Sequence, residues 1–376
     1  MKKIYVMVSM LAIISCSNQP NEKQEVKEEV TETPFYLGTY TDGESKSQGI
    51  YKYALLSDGT LKQIGLATKS ISPSFLAYSA DRNFVVAVNE ISENNVGTVE
   101  LYKIQGDSLI FVNKQSSGGA HPCFVGVNAQ NYVVTANYTG GNVGLLQINE
   151  KNELSELLYL QQHKGKRTSP RQEKPHAHSA WFDASGLEVI AVDLGTNQLW
   201  FSHIDTLTNK LVPATQNTLT MAEAAGPRHL CFHPNNKWIY VVNELNSSIT
   251  HLEKNETNAY EIRNSISTLP ADFKEANTCA DIHISADGKF VYASNRGHNS
   301  IACFKVNEHD GSLSFLAHES TKGNGPRNFA LSPCGKFLLV ANQKTNNIVS
   351  FMRDENTGLL TFVHEIEAPT PVCILF

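Results

Sequence analysis

The chain has no basic excess. Its 31 Lys and Arg are outnumbered by 37 Asp and Glu, a formal net charge of −6. That balance cannot neutralise a phosphate backbone, which excludes nucleic acid as the expected partner. Long apolar runs are missing beyond the first residues, so no interior segment reaches the ~20 residues of a membrane-crossing helix. Cysteines in C-x-x-C spacing are also absent, which argues against zinc and redox centres. No interior stretch has the composition of a linker, so nothing divides the chain into two domains. At 376 residues and 41% hydrophobic, it is too apolar for disorder throughout and fits one large closed all-β architecture.

The first residues form a processing signal. Lys2 and Lys3 give a positive start and Ile4 to Ile14 a short apolar stretch, closed by Ile13-Ile14-Ser15-Cys16. The stretch is too short to span a bilayer. The closing tetrapeptide resembles a bacterial lipobox, which implies cleavage before Cys16 and its lipidation. Residues 1–15 are then a lipoprotein signal peptide and 16–33 an acidic linker. Residues 17–33 carry five Glu, two Lys and no aromatic, the composition of a solvated tether. The expected location is the cell envelope, in periplasmic or outer-membrane lipoprotein form. Several of the other six cysteines (123, 231, 279, 303, 334 and 373) sit in apolar strand patterns, where Cys behaves as a small hydrophobe.

What the chain does have is a repeat. An apolar run ending in Asn or Asp recurs as Phe84-Val-Val-Ala-Val-Asn89, Tyr132-Val-Val-Thr-Ala-Asn137 and Val189-Ile-Ala-Val-Asp193. It continues in Trp238-Ile-Tyr-Val-Val-Asn243, Phe290-Val-Tyr-Ala-Ser-Asn295 and Phe337-Leu-Leu-Val-Ala-Asn342. The closing residues fall 47 to 56 apart, and a degenerate copy, Phe35-Tyr-Leu-Gly-Thr39, precedes Asn89 by 50. Turns such as Ala286-Asp-Gly-Lys289 precede the runs, and a further apolar stretch precedes each turn. Short runs rich in Val, Ile, Phe and Tyr between Gly or Asp turns are strands. Four strands per ~50 residues, seven times over, predict a seven-bladed β-propeller across 34–376. Pro371-Val-Cys-Ile-Leu-Phe376 aligns with the inner strand Pro326-Arg-Asn-Phe-Ala-Leu331, whereas the N-terminal copy lacks an inner strand. The C-terminal strand therefore completes the first blade and closes the ring. A closed ring has no obligatory partner edge, so a monomer is expected.

In each blade the first two strands form a hairpin, so the start of strand one lies beside the end of strand two. Residues at both places should converge on one mouth of the central channel. Strand-one starts contribute His176, His178, Arg228, His229, Asp281 and Arg327; strand-two ends contribute Asp193, Glu244, Arg296 and Gln343. Charged groups at apolar strand boundaries cost desolvation unless they are paired or functional. His176 and His178 alternate, which would also suit a metal pair, but two ligands alone do not make a metal site.

These residues lie in stretches that together resemble the bacterial propeller lactonase family, which includes 6-phosphogluconolactonase and the fungal carboxymuconate cyclase. The stretches are Arg171-Gln-Glu-Lys-Pro-His-Ala-His178, Gly226-Pro-Arg-His-Leu230 with Asn243-Glu-Leu245, Ala280-Asp-Ile-His283 with Ser294-Asn-Arg-Gly-His298, and Gly325-Pro-Arg-Asn-Phe329 with Ala341-Asn-Gln343. Asn137-Tyr-Thr-Gly-Gly-Asn-Val143 matches the family's glycine-rich turn. Phe124 departs from it, standing where a His usually follows Pro-Cys. The resemblance implies a hydrolase that opens a sugar-derived lactone without a cofactor or metal. His178 and Glu244 are then the acid–base candidates, with the choice of base left open, and Arg228 and Arg296 the cationic ones. Arg171, His176, Asp193 and Arg327 are the expected substrate contacts. Two other readings remain at this point: a cycloisomerase lactonising a carboxymuconate-type dicarboxylate, and a non-catalytic lipid-anchored binding propeller.

Overall fold

The structure, a computed structural model, describes residues 31–376. Cys16, the signal segment and nearly all of the acidic linker lie outside the described residues. The first strand, Glu32–Thr39, begins two residues before the expected boundary at 34. Twenty-eight strands form seven four-stranded sheets. Each sheet is antiparallel and its strands follow one another in sequence, except that the first sheet takes its innermost strand from the far end of the chain. There Pro371–Leu375 pairs with Glu32–Thr39, Tyr36 facing Leu375 and Gly38 facing Cys373. The innermost strands neighbour one another around a central channel. The expected seven-bladed propeller and its closure are both present.

Local chemistry sets the hairpins. Before Phe290–Arg296, Asp287 accepts from Ser285 Oγ and the Lys289 amide, while the Phe290 amide donates to Ser285 Oγ. Gly288 adopts φ 75° there, a left-handed conformation that suits glycine. Burial then separates the strands of a blade. The second strands, such as Phe84–Glu93 and Phe337–Asn342, open with unbroken runs of buried residues because both faces pack on neighbouring blades. The outermost strands, such as Lys210–Thr220, alternate between cover and solvent. Clusters such as Phe35, Leu37, Tyr53, Phe337 and Leu339 bind the first blade to the seventh; each such side chain contributes ~1.5–3 kcal/mol by burial.

One irregularity recurs at the same height in the channel. In the third blade Pro122 faces Asn137 and Phe124 faces Ala136, so the ladder passes over Cys123. The same slip passes over His178, Arg228 and Arg327 in the fourth, fifth and seventh blades. In the sixth it passes over Ala280 and Asp281. A β-bulge of this kind leaves one residue unpaired and re-aims its side chain.

Candidate active site

The bulged positions meet a second ring of residues, each one place beyond the end of a strand-two run: Tyr40, Glu90, Tyr138, Glu244 and Arg296. Together with Arg171 from the loop before the fourth blade, these two rings enclose a cavity of about 330 Å³. The convergence expected from hairpin geometry is observed for His178, Glu244, Arg296 and Arg327, which line it beside the loop residue Arg171, whereas His229, Asp281 and Gln343 do not reach it. Arg228 lies directly behind, 2% exposed, bonded to the lining Glu244.

Glu244 is the hub. Its Oε1 accepts from Arg171 Nη2 at 2.9 Å, and its Oε2 from Arg228 Nε at 3.0 Å and Arg296 Nη2 at 2.9 Å. Burial alone would raise its pKa, but the guanidiniums of Arg296, Arg228 and Arg171 overcome this and hold it at about 2. Glu244, expected as one of two acid–base candidates, is thus held ionised at neutral pH, which weakens it as a base. Backbone and hydroxyl acceptors share the cost of burying its partners. Arg228 Nη1 donates to the Ala280 carbonyl, Arg296 Nη2 to that of Cys279 and Arg171 Nη2 to Tyr138 Oη. Burial, then the charges of Arg296 and Arg327, bring Arg228 down to about 10, so it stays protonated at neutral pH.

His178 has the opposite character. Burial, followed by the nearby Arg228, His229 and Arg327, pushes its pKa well below the ordinary imidazole value. The ring is neutral at physiological pH and able to accept a proton. Its Nδ1 lies 3.6 Å from Cys123 Sγ, and its face meets Tyr138 edge-on. Across the cavity, Glu90 Oε2 accepts from Tyr40 Oη at 2.7 Å. Arg327 lies over the Tyr40 ring and 3.8 Å from Glu90. Among the described residues its guanidinium donates no hydrogen bond.

Two expected substrate contacts stand behind the cavity wall. Asp193 is fully buried, and its carboxylate accepts from the His176 and Thr196 amides at 2.9 and 2.8 Å, with the His163 ring at 2.7 Å. His176 stacks on Tyr138 and bonds the Tyr138 carbonyl and Glu173. Both pin the loop that carries Arg171, and neither faces the cavity. His176 does not share a face with His178 as strand alternation implied, because it precedes the strand and His178 is bulged out of it. Among the described residues no cluster of three metal-ligating side chains occurs. Phe124 sits one layer deeper, packed against Phe75 and Trp181, so the missing His does not alter the charged cavity.

Sequence reasoning missed Tyr40, Glu90, Tyr138, Cys123 and Thr278, which also line the cavity. The signal was present: Tyr40, Glu90 and Tyr138 hold the repeat phase of Glu244 and Arg296, and Cys123 that of His178.

Comparison with known proteins follows the same boundaries. The family described as "Lactonase, 7-bladed beta-propeller" matches residues 34–376. A 6-phosphogluconolactonase of Bacillus subtilis is 39% identical over 301 residues, covering 78% of this chain and 83% of its own. The periplasmic gluconolactonase of Pseudomonas aeruginosa superposes with a TM-score of 0.85 at 26% identity, over 91% of this chain and 98% of that one. A Lactobacillus plantarum protein of solved structure gives 0.86 at 32% identity, over 92% and 99%.

Proposed function

Because the chain belongs to the seven-bladed β-propeller lactonase family, we propose that its charged mouth hydrolyses a sugar-derived lactone. The observation that carries this reading is the pairing of a neutral His178 with guanidiniums whose donors are not all used. Four arginines face two carboxylates, Glu244 and Glu90, leaving two positive charges in surplus around the cavity. Arg228 Nη2 and the whole Arg327 head group bond nothing among the described residues.

In this reading water attacks the lactone carbonyl as His178 takes its proton. Negative charge grows on the carbonyl oxygen, where Arg228 and Arg296 stabilise it with charge-assisted hydrogen bonds in a site poor in water. Collapse of the tetrahedral intermediate breaks the ring C–O bond, and the His178 imidazolium returns the proton to the leaving oxygen. The product is an open hydroxy acid. Arg327 and Arg171 anchor the substrate, and the hydroxyls of Tyr40, Tyr138 and Thr278 suit a polyhydroxylated ring.

No helix among the described residues is long and apolar enough to cross a membrane. The lipobox-like segment supports an envelope protein tethered through lipidated Cys16, and the closed ring supports a monomer. An enzyme held outside the inner membrane would meet an unphosphorylated aldonolactone. The test is pH-stat turnover of gluconolactone and of its 6-phosphate by the purified chain, measured above spontaneous opening. Inactivity on both would sink the lactonase reading. For the tether, Cys16→Ala should move the protein from the membrane to the soluble fraction; unchanged partitioning would refute it.

A further inference from the structure

Beneath the cavity a line of buried side chains runs down the channel from Glu244. Arg228 bonds Glu244 through Nε and, through Nη1, approaches His229 Nε2 at 3.3 Å. His229 Nδ1 lies 2.8 Å from Asp281 Oδ1. All four are nearly excluded from solvent, at 1 to 4% exposure. A guanidinium can only donate, so His229 Nε2 must accept and the ring must carry its proton on Nδ1, aimed at Asp281. Asp281 is fixed in turn: Oδ1 also takes the Ile282 amide, and Oδ2 takes Asn328 Nδ2 at 2.6 Å and His283 Nε2 at 3.1 Å. Burial and the adjacent Arg228 bring His229 to about 4, so the ring is neutral at physiological pH, as the line requires.

We infer that Asp281 and His229 are positioning residues that fix the Arg228 guanidinium from below for its work on the reacting carbonyl. Glu244 holds one edge of that planar fork and His229 with the Ala280 carbonyl another, leaving Nη2 as the donor not used among the described residues. Arg228 sits on a bulge, where the backbone ladder does not constrain it. Without the second hold it could pivot about its bond to Glu244. Asp281 lies one blade away, in the sixth, and sets the His229 tautomer, as a carboxylate does behind a catalytic imidazole. His229 and Asp281 line no part of the cavity, so their effect on substrate passes through Arg228 and through the His178 ring, which His229 meets at 5.4 Å.

The inference rests on the lactonase role proposed for Arg228, but its first test does not. Nitrogen-15 NMR of the full chain, with His229→Gln used to assign the signal, should show a neutral His229 protonated at Nδ1 near pH 7. A ring protonated at Nε2 overturns the proposal whether or not any lactone turns over. The second test compares His229→Leu with His229→Gln, whose amide can donate to Asp281 and accept from Arg228. The Leu variant should lose about tenfold or more in kcat at little changed KM, short of the ~10²–10³-fold expected for losing the donor itself. Gln should restore most of that loss. Rates are taken per folded molecule. Equal rates in Leu and wild type, or no recovery in a folded Gln variant, would mean that the line serves packing alone. Should the Leu variant fail to fold, the Gln variant and the NMR tautomer still decide the question.

Discussion

The two mouths of the channel hold cavities of equal volume, about 330 Å³ each, and almost nothing else in common. One is ringed by Arg171, Arg296, Arg327, Glu90 and Glu244. The other is walled by Phe75, Phe124, Trp181, Phe182 and Ile374, with Asp281, His283 and Asn328 among its few polar groups. The same seven inner strand pairs, six of them hairpins, build both ends, so size does not tell them apart. The difference lies in the ladder. At the charged end bulges in the third, fourth, fifth and seventh blades turn single residues out of the ladder; at the other end strands one and two of these blades stay in regular register. A repeat supplies two openings, and the bulge makes one of them a place for chemistry.

That contrast can be broken by substitution. His178→Ala should lower kcat by about 10²–10⁴-fold, the usual range for a proton-transfer group; a loss below tenfold would leave the mouth without its base. Glu244→Gln should destabilise the fold by ~3–5 kcal/mol in urea unfolding, since it strips the shared counter-charge from buried guanidiniums. The wild type should show the matching acid response. Glu244 is depressed in the folded state, so its stabilisation is complete above the ordinary carboxyl pKa and disappears as pH falls toward about 2. A smaller effect concerns the rate profile. With His178 as the proposed base its neutral form would be the active one, and its pKa is depressed, so the acid limb of kcat/KM should lie well below the 6.5 of a free imidazole. A limb at or above that value would contradict the burial argument. At the opposite mouth, Phe182→Ala should leave kcat/KM within about twofold, surface changes away from a site being small in effect. A large loss there would erase the distinction between the two ends.

Much of this was legible in the chain because a propeller converts phase into position. Runs ending at Asn89, Asn137, Asn243, Asn295 and Asn342 located the second strands, and the hairpin rule carried His178, Glu244, Arg296 and Arg327 to one mouth. The same rule failed for His229, Asp281 and Gln343, which line no part of the charged cavity, and for Asp193 and His176. The partners of these last two, His163 and Glu173, lie in a loop outside the repeat, and no spacing announces such contacts. The charge state of Glu244 was equally hidden. Desolvation alone predicts a raised pKa, and the reversal depends on three arginines, 171, 228 and 296, meeting at one carboxylate. Tyr40, Glu90 and Tyr138 were overlooked for a different reason: they occupy the informative phase in blades with less distinctive motifs.

Ring closure bears on when the protein can act. The strand that completes the first blade, Pro371–Leu375, follows every other strand in the sequence and seats beside the earliest one. A chain in which that strand has not yet docked holds six complete blades and an open seam, and its arginines have no shared rim on which to gather. Activity therefore waits on the seating of that strand, whatever the state of the other six blades.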